Sequence, residues 1–381
     1  MTGPLTGVKV LEFAGLGPTP FCGMLLADMG AEVVRIDRKG RGALPFDIDY
    51  TKDVISRGRR SVGLDLKNPD AIEACLNLVE HADVIIEGYR PGVMERMGLG
   101  PEECFARQPA LIYGRMTGWG QDGPLADRAG HDINYIALAG ALELLGRKGE
   151  KPFPPINLVG DMGGGGMYLA FGLVCALLEA RTSGKGQVVD AAIVEGSALM
   201  LTQVFSMMAW KMWSHERGTN LSDTGAHFYE VYETSDGAHM AVGAVEPQFY
   251  KALCHYADLD PALFENQHDV KKWPLLKEEL ADVFKQKTRE EWIRIFEDVD
   301  ACVSPVLTPA EAFAHPHNST RGVYVEYDGL VQPAPGPRFS RTPGGIQGRP
   351  PKPGEHTDDV LLRWGFGAEK VQALRDMGAI A

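Results

Sequence analysis

Short apolar runs alternate with helical patterns through the first half of the chain. The runs typical of buried strands occupy residues 8–13, 31–36, 61–66, 84–87 and 111–116. Between them, helices are predicted over residues 18–29 and 69–81, where prolines stand at the starts. This alternation predicts a mostly parallel, doubly wound sheet, which binds ligands beyond the carboxyl ends of its strands.

The pattern changes after residue 180. A strand is predicted over 187–192 and one long helix over 194–213, whose methionines and tryptophans suggest a core or a subunit seam. From Gly225 onward, two short strands joined by the turn Ser235-Asp236-Gly237 are followed by helices. We therefore predict a large Rossmann-like α/β domain over 1–190 completed by 331–381, a linker helix within 191–224, a small α+β domain over 225–320 and a return linker over 321–330.

Composition narrows the class of protein. Hydrophobic residues make up 44% and charged residues 23% of the 381 positions, which are ordinary globular values. The net charge of −13 argues against nucleic acid or an anionic membrane as a general partner. The six cysteines are scattered, the amino terminus shows no secretory signal, and the apolar run 168–178 is shorter than the roughly 20 residues of a membrane span. We expect a cytoplasmic protein without a membrane or nucleic-acid partner.

Two segments carry candidate proton-transfer groups. Gly130-His131-Asp132 precedes a helix predicted over 133–141, and Gly160-Asp161 precedes one predicted over 167–180. Aspartate is a preferred N-cap, so Asp132 and Asp161 taken alone have a structural explanation. His131 gains nothing as a cap, and an imidazole with a carboxylate forms a competent acid–base pair. His131 and Asp161 are therefore the candidate catalytic groups.

A basic segment lies between residues 35 and 60. It holds eight positive against four negative residues in a chain that is acidic overall. They are Arg35, Arg38, Lys39, Arg41, Lys52, Arg57, Arg59 and Arg60, and Asp37, Asp47, Asp49 and Asp53. On loops at the end of a sheet this excess indicates a site for a phosphorylated ligand, and a solvated charged loop is the alternative.

Several other kinds of site do not fit the spacing of the residues. Gly15-Leu16-Gly17-Pro18 lacks the third glycine of the dinucleotide pattern, and Ser183-Gly184-Lys185-Gly186 lacks the Walker spacing. The histidines show no ligand-like spacing, so no metal is expected. Gly163-Gly164-Gly165-Gly166 at a helix start carries an entropic penalty, which is tolerable where another chain or a ligand approaches closely.

Five longer motifs along the chain identify a family. They are Gly118-Trp119-Gly120-Gln121, Gly130-His131-Asp132-Ile133-Asn134-Tyr135, Asn157-Leu158-Val159-Gly160-Asp161, Gly184-Lys185-Gly186-Gln187-Val188-Val189-Asp190-Ala191 and Ala241-Val242-Gly243-Ala244-Val245-Glu246-Pro247-Gln248-Phe249-Tyr250. With these motifs the chain resembles the α-methylacyl-CoA racemases, a branch of the family III CoA-transferase superfamily, from Gly7 to Thr357. The resemblance implies an interlocked homodimer, whose active site lies between the large domain of one chain and the small domain of the other.

The resemblance also implies the chemistry. Transferases of the superfamily use an aspartate at the position of Asp161 as a nucleophile and carry a bulky apolar residue in place of His131. Racemases use the two as bases on opposite faces of the α-carbon, so that His131, oriented by Glu246, serves the S-substrate and Asp161 the R-substrate. The backbone N–H of Asp132 is the implied donor to the enolate oxygen. Neither a cofactor nor a metal is implied.

For coenzyme A, the resemblance implies contacts along the large domain. Arg38 and Arg57 are assigned to its phosphates, and the segment from Gly130 to Tyr135 to the thioester end. The residues assigned to the nucleotide region are Leu64, Asp65, Leu66, Lys67 and Arg96.

Two other functions remain open at this point. One is a family III CoA-transferase that moves CoA through an anhydride on Asp161, and the other is a noncatalytic acyl-CoA-binding protein. The residues leave the acyl group unspecified, since branched-chain, sterol side-chain and arylpropionyl thioesters all suit a methionine-rich surface.

Overall fold

The computed structural model describes residues 3–39 and 48–381 of the chain. The chain divides into two compact units. The first comprises Met1–Ala139, Ile156–Met200 and Arg321–Ala381, and the second comprises Gly140–Pro155 and Leu201–Thr320. The segment Gly140–Pro155 therefore groups with the second unit, whereas the sequence analysis assigned it to the large domain.

The strands and helices of the described residues are numbered in chain order. The strands are β1 Lys9–Phe13, β2 Glu32–Arg38, β3 Arg59–Leu64, β4 Val84–Glu87, β5 Ile112–Thr117, β6 Gln187–Ala192, β7 Tyr229–Glu233, β8 His239–Gly243, β9 Val303–Pro305, β10 Tyr324–Tyr327 and β11 Leu330–Pro333. The α-helices are α1 Pro18–Asp28, α2 Pro69–Val79, α3 Val93–Arg96, α4 Pro101–Arg107, α5 Asp132–Leu138, α6 Tyr168–Ser183, α7 Ile193–Leu199, α8 Thr202–Ala209, α9 Pro247–Tyr256, α10 Pro261–Phe264, α11 Trp273–Phe284, α12 Arg289–Phe296, α13 Pro309–Ala314, α14 Pro316–Arg321, α15 Thr357–Arg363 and α16 Ala368–Asp376.

The first unit is built on one parallel sheet. Its six strands follow the order β3-β2-β1-β4-β5-β6, and all five neighbouring pairs are parallel. This is the doubly wound Rossmann order, so the α/β fold predicted from the sequence is confirmed. From β1 the chain first adds strands on one side of the sheet and then, from β4 onward, on the other. This reversal of the winding lies between β1 and β4, where Val10 pairs with Val84. A crevice for a ligand is therefore expected beyond the carboxyl ends of these two strands.

Helices cover both faces of the sheet because successive strand residues point to opposite faces. Within β1, Leu11 packs in one hydrophobic core with α2, α4, α15 and α16. Its neighbour Val10 packs in a second core with α1 and α6. Both side chains are fully buried, and each such side chain contributes about 1.5–3 kcal/mol to folding. The two cores hold the strand ends, and hence the loops beyond them, in place.

Two helical segments differ from the prediction. Leu158–Met167 is a π-helix that continues into α6, so helical structure begins well before the predicted start at residue 167. The long helix predicted over 194–213 is divided into α7 and α8. The ψ angles of Met200 and Leu201 flatten to −17° and 2°, which interrupts the helical hydrogen bonding at a place where the sequence shows no helix-breaking residue.

The continuous helix Leu158–Ser183 reaches the length and apolar character of a membrane span. The sequence had indicated a shorter apolar segment, residues 168–178, which is too short to span a membrane. Four residues of α6 are buried in the second core of the sheet: Leu169, Leu173, Ala176 and Ala180. The helix thus has one face committed to the interior of the first unit.

A β-hairpin begins within the segment 321–330 that was predicted as a return linker and extends beyond it to Pro333. β10 and β11 pair in antiparallel fashion and are joined by Asp328 and Gly329, with φ angles of 52° and 74°. Positive φ at both central residues is typical of a type I′ turn, for which Asp-Gly is a favoured sequence. The Asp-Gly pair was the available signal for this hairpin.

The second unit contains an antiparallel three-stranded sheet in the order β7-β8-β9. One hydrophobic core joins this sheet to α9, α11 and α12, and its largest fully buried side chains include Phe228 and Trp292. Arg217 fixes the segment Gly140–Pro155 to this unit, since it donates to the carboxylate of Glu143 at 2.7 Å. The mixed α+β composition predicted for this part of the chain is confirmed.

Candidate active site

A cleft of 420 Å³ opens in the first unit beyond the carboxyl ends of β1, β4 and β5. Its lining residues are Leu16, Gly17, Pro18, Thr19, Gly88, Tyr89, Arg90, Pro91, Met116, Thr117, Gly118, Trp119, Ala126, Arg128, Ala129, Gly130, His131, Tyr135, Asp161 and Ile193. The cleft is therefore at the position where the winding of the sheet reverses. His131 and Asp161, which are separated by 30 residues of sequence, meet in it.

His131 enters the cleft from the amino end of α5. Its backbone is extended, it occupies the N-cap position, and its N–H donates to the Asn134 side-chain oxygen at 3.0 Å. The side chain of Tyr135 folds back so that its hydroxyl donates to the Gly130 carbonyl, and its ring packs edge-on against Trp119 at 4.7 Å. The His131 residue itself is exposed. The main-chain hydrogen bond of His131 and the contacts of the neighbouring residue Tyr135 thus fix the backbone from which the imidazole extends.

Asp161 enters the cleft from the first turn of the π-helix. Its carboxylate lies close to the amino end of α1, because a Cβ built on Gly17 would be 3.0 Å from Oδ2. Burial raises the pKa of Asp161, the hydrogen bond from Asn157 lowers it, the charge of Asp132 raises it, and His131 lowers it. The net direction is upward, because burial is the largest of these effects.

Asp132 connects the two helices that carry the acid–base pair. It is the first residue of α5 and is buried, and its Oδ2 accepts a hydrogen bond from the Asp161 backbone N–H at 2.7 Å. Neither aspartate is an N-cap, since His131 and Asn157 occupy those positions. The capping explanation of Asp132 and Asp161 is therefore wrong. At the first position of a helix the Asp132 N–H has no partner within the helix, so it is available as a donor.

The glycines of the π-helix allow close packing against α1 and α7. A Cβ on Gly164 would lie 2.7 Å from the Ser197 backbone nitrogen, and one on Gly165 would lie 2.8 Å from the Pro18 side chain. One on Gly166 would lie 2.8 Å from the Pro18 carbonyl oxygen. The close approach expected from the glycine run is thus made by other segments of the same chain, which hold Asp161 against the mouth of the cleft.

Four arginines of the basic segment form ion pairs with carboxylates of the same chain, and the pairs of Arg35, Arg57 and Arg59 are buried. The partners are Arg35 with Asp37, Arg57 with Asp28, Arg59 with Glu12, and Arg60 with Asp359. Arg57 makes two bonds to the Asp28 carboxylate and donates also to Gln332 and to the Pro333 carbonyl. Its side chain is buried, so a role for Arg57 in binding phosphate does not fit the structure. For Arg57, Arg59 and Arg60 the counter-charges lie outside the segment, so the charge excess counted in the sequence overstated the positive charge that is free to bind a ligand.

Arg38 is an accessible arginine in the described part of this segment. It is exposed at the last position of β2, and no hydrogen bond or ion pair to its side chain occurs within residues 3–39 and 48–381. Burial raises the pKa of the cleft residue Tyr89, and the charge of Arg38 opposes that shift. Arg38 thus lies near the cleft. Arg41 and Asp47, which the sequence analysis counted in the same segment, lie outside the described residues.

The other residues assigned to coenzyme A lie at the same edge of the sheet. Leu64 ends β3, and its side chain is fully buried in the first core, so a side-chain contact from Leu64 to a ligand does not fit. Asp65, Leu66 and Lys67 follow directly beyond the strand, and Lys67 is exposed. Arg96 ends α3 and is also exposed. Lys67 and Arg96 are thus accessible, and their contact with a nucleotide stays a prediction.

Two cleft arginines were missed in the sequence analysis. Arg90 and Arg128 are both exposed and both line the cleft. Arg90 lies just beyond the end of β4, and this position next to the reversal of the winding was a usable signal. Arg128 belongs to a long loop without a strand end nearby, so no pattern in the sequence distinguished it.

Glu246 belongs to the second unit. It is the exposed N-cap of α9, shortly after β8, and its charge contributes to the raised pKa of Cys302, which is due mainly to burial. Its predicted contact with His131 remains a prediction. Among residues 3–39 and 48–381, no group of three or more His, Cys, Asp and Glu side chains is arranged to hold a metal ion.

Comparison with known proteins places this geometry in context. The sequence profile of CoA-transferase family III matches residues 5–357. The α-methylacyl-CoA racemase of Mus musculus is 45% identical over 372 residues, covering 97% of this chain and 96% of that protein. The α-methylacyl-CoA racemase of Homo sapiens is 44% identical over 375 residues, with the same two coverages of 97% and 96%. The crystal structure of a CAIB/BAIF family protein from Brucella suis superposes with a TM-score of 0.80 at 26% identity, over 96% of this chain and all of that one.

Proposed function

The chain belongs to CoA-transferase family III, and we propose that within this family it is an isomerase that interconverts (R)- and (S)-2-methylacyl-CoA thioesters. The observation that carries the proposal is that His131 and Asp161 line one cleft beyond the carboxyl ends of the sheet strands. Inversion of a carbon beside a thioester requires one group to take its proton and another to return a proton to the opposite face. An imidazole and a carboxyl group of raised pKa can fill these two roles.

The two directions use the same pair in opposite protonation states. With the R-substrate, the Asp161 carboxylate takes the α-proton, the electron pair moves onto the thioester oxygen, and the protonated His131 gives its proton to the other face. With the S-substrate, His131 takes the proton and protonated Asp161 returns one. The Asp132 N–H donates to the enolate oxygen, where the negative charge develops. Each of the two proton transfers contributes on the order of 10² to 10⁴-fold to the rate.

Coenzyme A is bound along the edge of the sheet in this proposal. The protein as a whole is acidic, but its accessible basic side chains at the cleft attract the negatively charged phosphates of coenzyme A. The residues proposed to contact it are Arg38, Asp65, Leu66, Lys67, Arg90, Arg96, Arg128, Gly130 and Tyr135. The reaction moves only protons, so it requires no cofactor besides the CoA that is part of the substrate.

A CoA-transferase is the second candidate function, because the family profile that matches the chain is named for CoA-transferases and Asp161 is present. In that reaction the Asp161 carboxylate attacks the thioester carbon, releases the CoA thiolate and forms an anhydride. Such a reaction needs a carboxylate acceptor and has no role for a histidine base. His131 in the cleft therefore favours the isomerase.

The deciding experiment is incubation of one enantiomer of a 2-methylacyl-CoA with the protein in heavy water. Deuterium uptake at the α-carbon together with loss of stereochemical purity is the expected result. If neither occurs and CoA passes to an added free carboxylate, the protein is a transferase. If CoA binds without any exchange or transfer, the protein is a noncatalytic acyl-CoA-binding protein.

A homodimer is proposed to complete the active site. The support is an apolar stripe on the surface of the first unit, formed by residues three or four positions apart: Met167, Phe171, Val174 and Leu178. Phe171 and Leu178 are each 70% exposed, and exposed apolar stripes of this kind mark association surfaces. In the proposed dimer the stripe is covered by the second copy, and Glu246 of the partner subunit orients His131.

Sedimentation of a Phe171→Glu, Leu178→Glu double variant tests the dimer. The unaltered protein is expected as a dimer and the double variant as a monomer with reduced racemase activity. Lys185→Glu, in the turn after α6, is the control: it reverses a charge outside the stripe, changes the net charge by the same amount as the double variant, and should remain dimeric. A monomeric unaltered protein that binds lipid vesicles through the helix Leu158–Ser183 would overturn both the dimer and the expected absence of a membrane partner.

A cytoplasmic location is proposed on the basis of the cysteines. All six are free thiols, and Cys22, Cys75 and Cys104 are buried. Free thiols are typical of reducing compartments. Fractionation of cells that produce the protein tests this, and recovery with membranes or in an organelle fraction would contradict it.

A further inference from the structure

The side chain of Asp132 is the feature of the first unit that the mechanism above leaves unused, since that mechanism draws on its backbone N–H alone. Asp132 is 7% exposed, and its Oδ2 accepts the Asp161 N–H at 2.7 Å. The other carboxylate oxygen, Oδ1, is buried and has no hydrogen-bond partner within residues 3–39 and 48–381. A buried carboxylate oxygen without a hydrogen bond is costly to the folded state, so it calls for an explanation such as a functional role.

The neighbouring main chain is shaped to admit this carboxylate. A Cβ on Gly160 would lie 2.4 Å from Asp132 Oδ2 and 2.7 Å from Asp132 Cγ, so residue 160 has no room for a side chain. The hydrogen bond joins the first residue of α5 to the first turn of the π-helix. These are the two segments that carry His131 and Asp161, and the bond spans 29 residues of sequence. The contact therefore sets the position of one catalytic segment relative to the other.

We propose that the Asp132 carboxylate is a positioning group for the racemase reaction: it holds the main chain of Asp161 at the cleft, and its negative charge keeps a proton on Asp161 when that residue acts as the acid. The inference rests on the proposed function. A proton donor must retain its proton at the working pH until the enolate forms, and a fixed negative charge nearby has that effect. The charge of Asp132 acts in this direction on Asp161.

Within residues 3–39 and 48–381, the other groups that face Asp161 do not supply such a charge. From α5, His131 acts in the opposite direction, and Tyr135 is raised in pKa mainly by burial and also by the charge of Asp161. The first turns of α1 and of α6 contain no acidic residue. The acidic residue of α7, Glu195, is exposed to solvent. Asp132 is thus the negative group in the right place.

Two variants separate the charge from the hydrogen bond. Asp132→Asn keeps an oxygen that can accept the Asp161 N–H and removes the charge, whereas Asp132→Ala removes both. Asp190→Asn is the matched control, because the Asp190 carboxylate also accepts a backbone N–H, from Gln121 at 3.1 Å, and lies outside the cleft lining. Circular dichroism and urea unfolding verify that each variant is folded.

Two quantities are measured. One is the pH profile of kcat/KM for racemisation. The other is the titration of the Asp161 carboxyl group, which is observed by carbon-13 NMR after the Asp161 signal has been assigned with Asp161→Asn. In Asp132→Asn we expect the acidic limb and the NMR midpoint of Asp161 to move to lower pH by about one unit, with KM unchanged. In Asp132→Ala we expect, in addition, a fall in kcat of about 10²-fold at every pH, because Asp161 is no longer held. In Asp190→Asn both readouts should match the unaltered protein.

An unchanged Asp161 midpoint in Asp132→Asn, or an equal shift in Asp190→Asn, would overturn the role of the charge. Full kcat in Asp132→Ala would overturn the role of the hydrogen bond. Failure of the proposed function gives a different pattern: the unaltered protein then shows no exchange in heavy water, while the NMR titration still reports whether Asp132 controls Asp161.

Discussion

At the level of single residues, His131 and Asp161 differ in how far each is withdrawn from water. His131 is exposed at the edge of the cleft, whereas Asp161 is partly buried and lies against the amino end of α1. In the proposed mechanism, the two faces of the α-carbon are therefore approached from two unlike environments. Each group should be able to remove a proton from one enantiomer without the help of the other.

Removal of one base should separate exchange from inversion. In Asp161→Asn we expect racemisation to fall by about 10²-fold or more, while the α-proton of the S-substrate still exchanges with heavy water through His131. His131→Gln should show the reverse, with exchange of the R-substrate alone. Proton NMR of each enantiomer with each variant measures this. Full racemisation by either variant would exclude a two-base mechanism.

Two arginines of the basic segment should respond to substitution in opposite ways. Arg57→Met breaks a buried ion pair and leaves Asp28 uncompensated, so we expect the free energy of unfolding to fall by about 3–5 kcal/mol. Arg38→Met removes an exposed side chain, and we expect unchanged stability with KM for the acyl-CoA raised roughly tenfold or more. Urea unfolding and steady-state kinetics on both variants provide the measurement. A stable Arg57→Met with a raised KM would restore Arg57 as a phosphate ligand.

The sequence could not distinguish these two arginines because the distinction lies in long-range partners. Asp28 is 29 residues from Arg57, and Gln332 is 275 residues away. Local charge counts register neither of them. The same limit applies to the bond between Asp132 and Asp161, whereas the two aspartates themselves could be selected because each accompanies a glycine at a helix start.

At the level of elements, β1, β2, β4 and β5 were predictable because they are almost completely buried and contain apolar runs. β4 and β6 have the bounds expected from the sequence, and prolines marked the starts of α1 and α2. The π-helix was not predictable, because its glycines are poor helix formers and its stability depends on packing against α1 and α7. The break between α7 and α8 likewise has no sequence signal.

The packing of the π-helix against α7 predicts unequal effects for neighbouring glycines. In Gly164→Ala the new Cβ would lie 2.7 Å from the Ser197 backbone nitrogen, so the helices have to separate, and we expect a loss of about 1–3 kcal/mol in the free energy of unfolding. Gly163→Ala is the matched control. Its Cβ would lie 3.2 Å from the Leu158 carbonyl oxygen and 3.3 Å from the flexible Met200 side chain.

For Gly163→Ala we expect unchanged or slightly higher stability, since alanine favours a helix by about 1 kcal/mol over glycine. Urea unfolding and the racemisation rate should be measured on both variants. Gly164→Ala should also lose activity, because the π-helix carries Asp161. Equal stability and activity in the two variants would show that α7 does not constrain this helix.

At the level of the whole molecule, the two units have separate hydrophobic cores and different titratable groups inside them. The first unit buries arginine–carboxylate pairs around the sheet. The second unit buries a histidine, His227, whose Nε2 lies 2.8 Å from the Tyr250 hydroxyl oxygen. The response of the protein to acid should therefore be governed in part by the second unit.

His227 predicts a loss of stability as the pH falls below neutrality. Burial, and to a smaller extent the charges of Lys277 and His268, lower the pKa of His227 to about 4. In the unfolded chain an ordinary histidine takes up a proton near pH 6.5, so between pH 6.5 and 4 the unfolded state binds more protons and stability decreases. At pH 5 this decrease in the free energy of unfolding amounts to about 2 kcal/mol relative to pH 7.5.

His227→Gln, which cannot titrate, should lose this part of the pH dependence, whereas His255→Gln at an exposed position should keep it. Urea midpoints at the two pH values for all three proteins measure the effect, and an equal decrease in His227→Gln and the unaltered protein would show that His227 is not the group responsible.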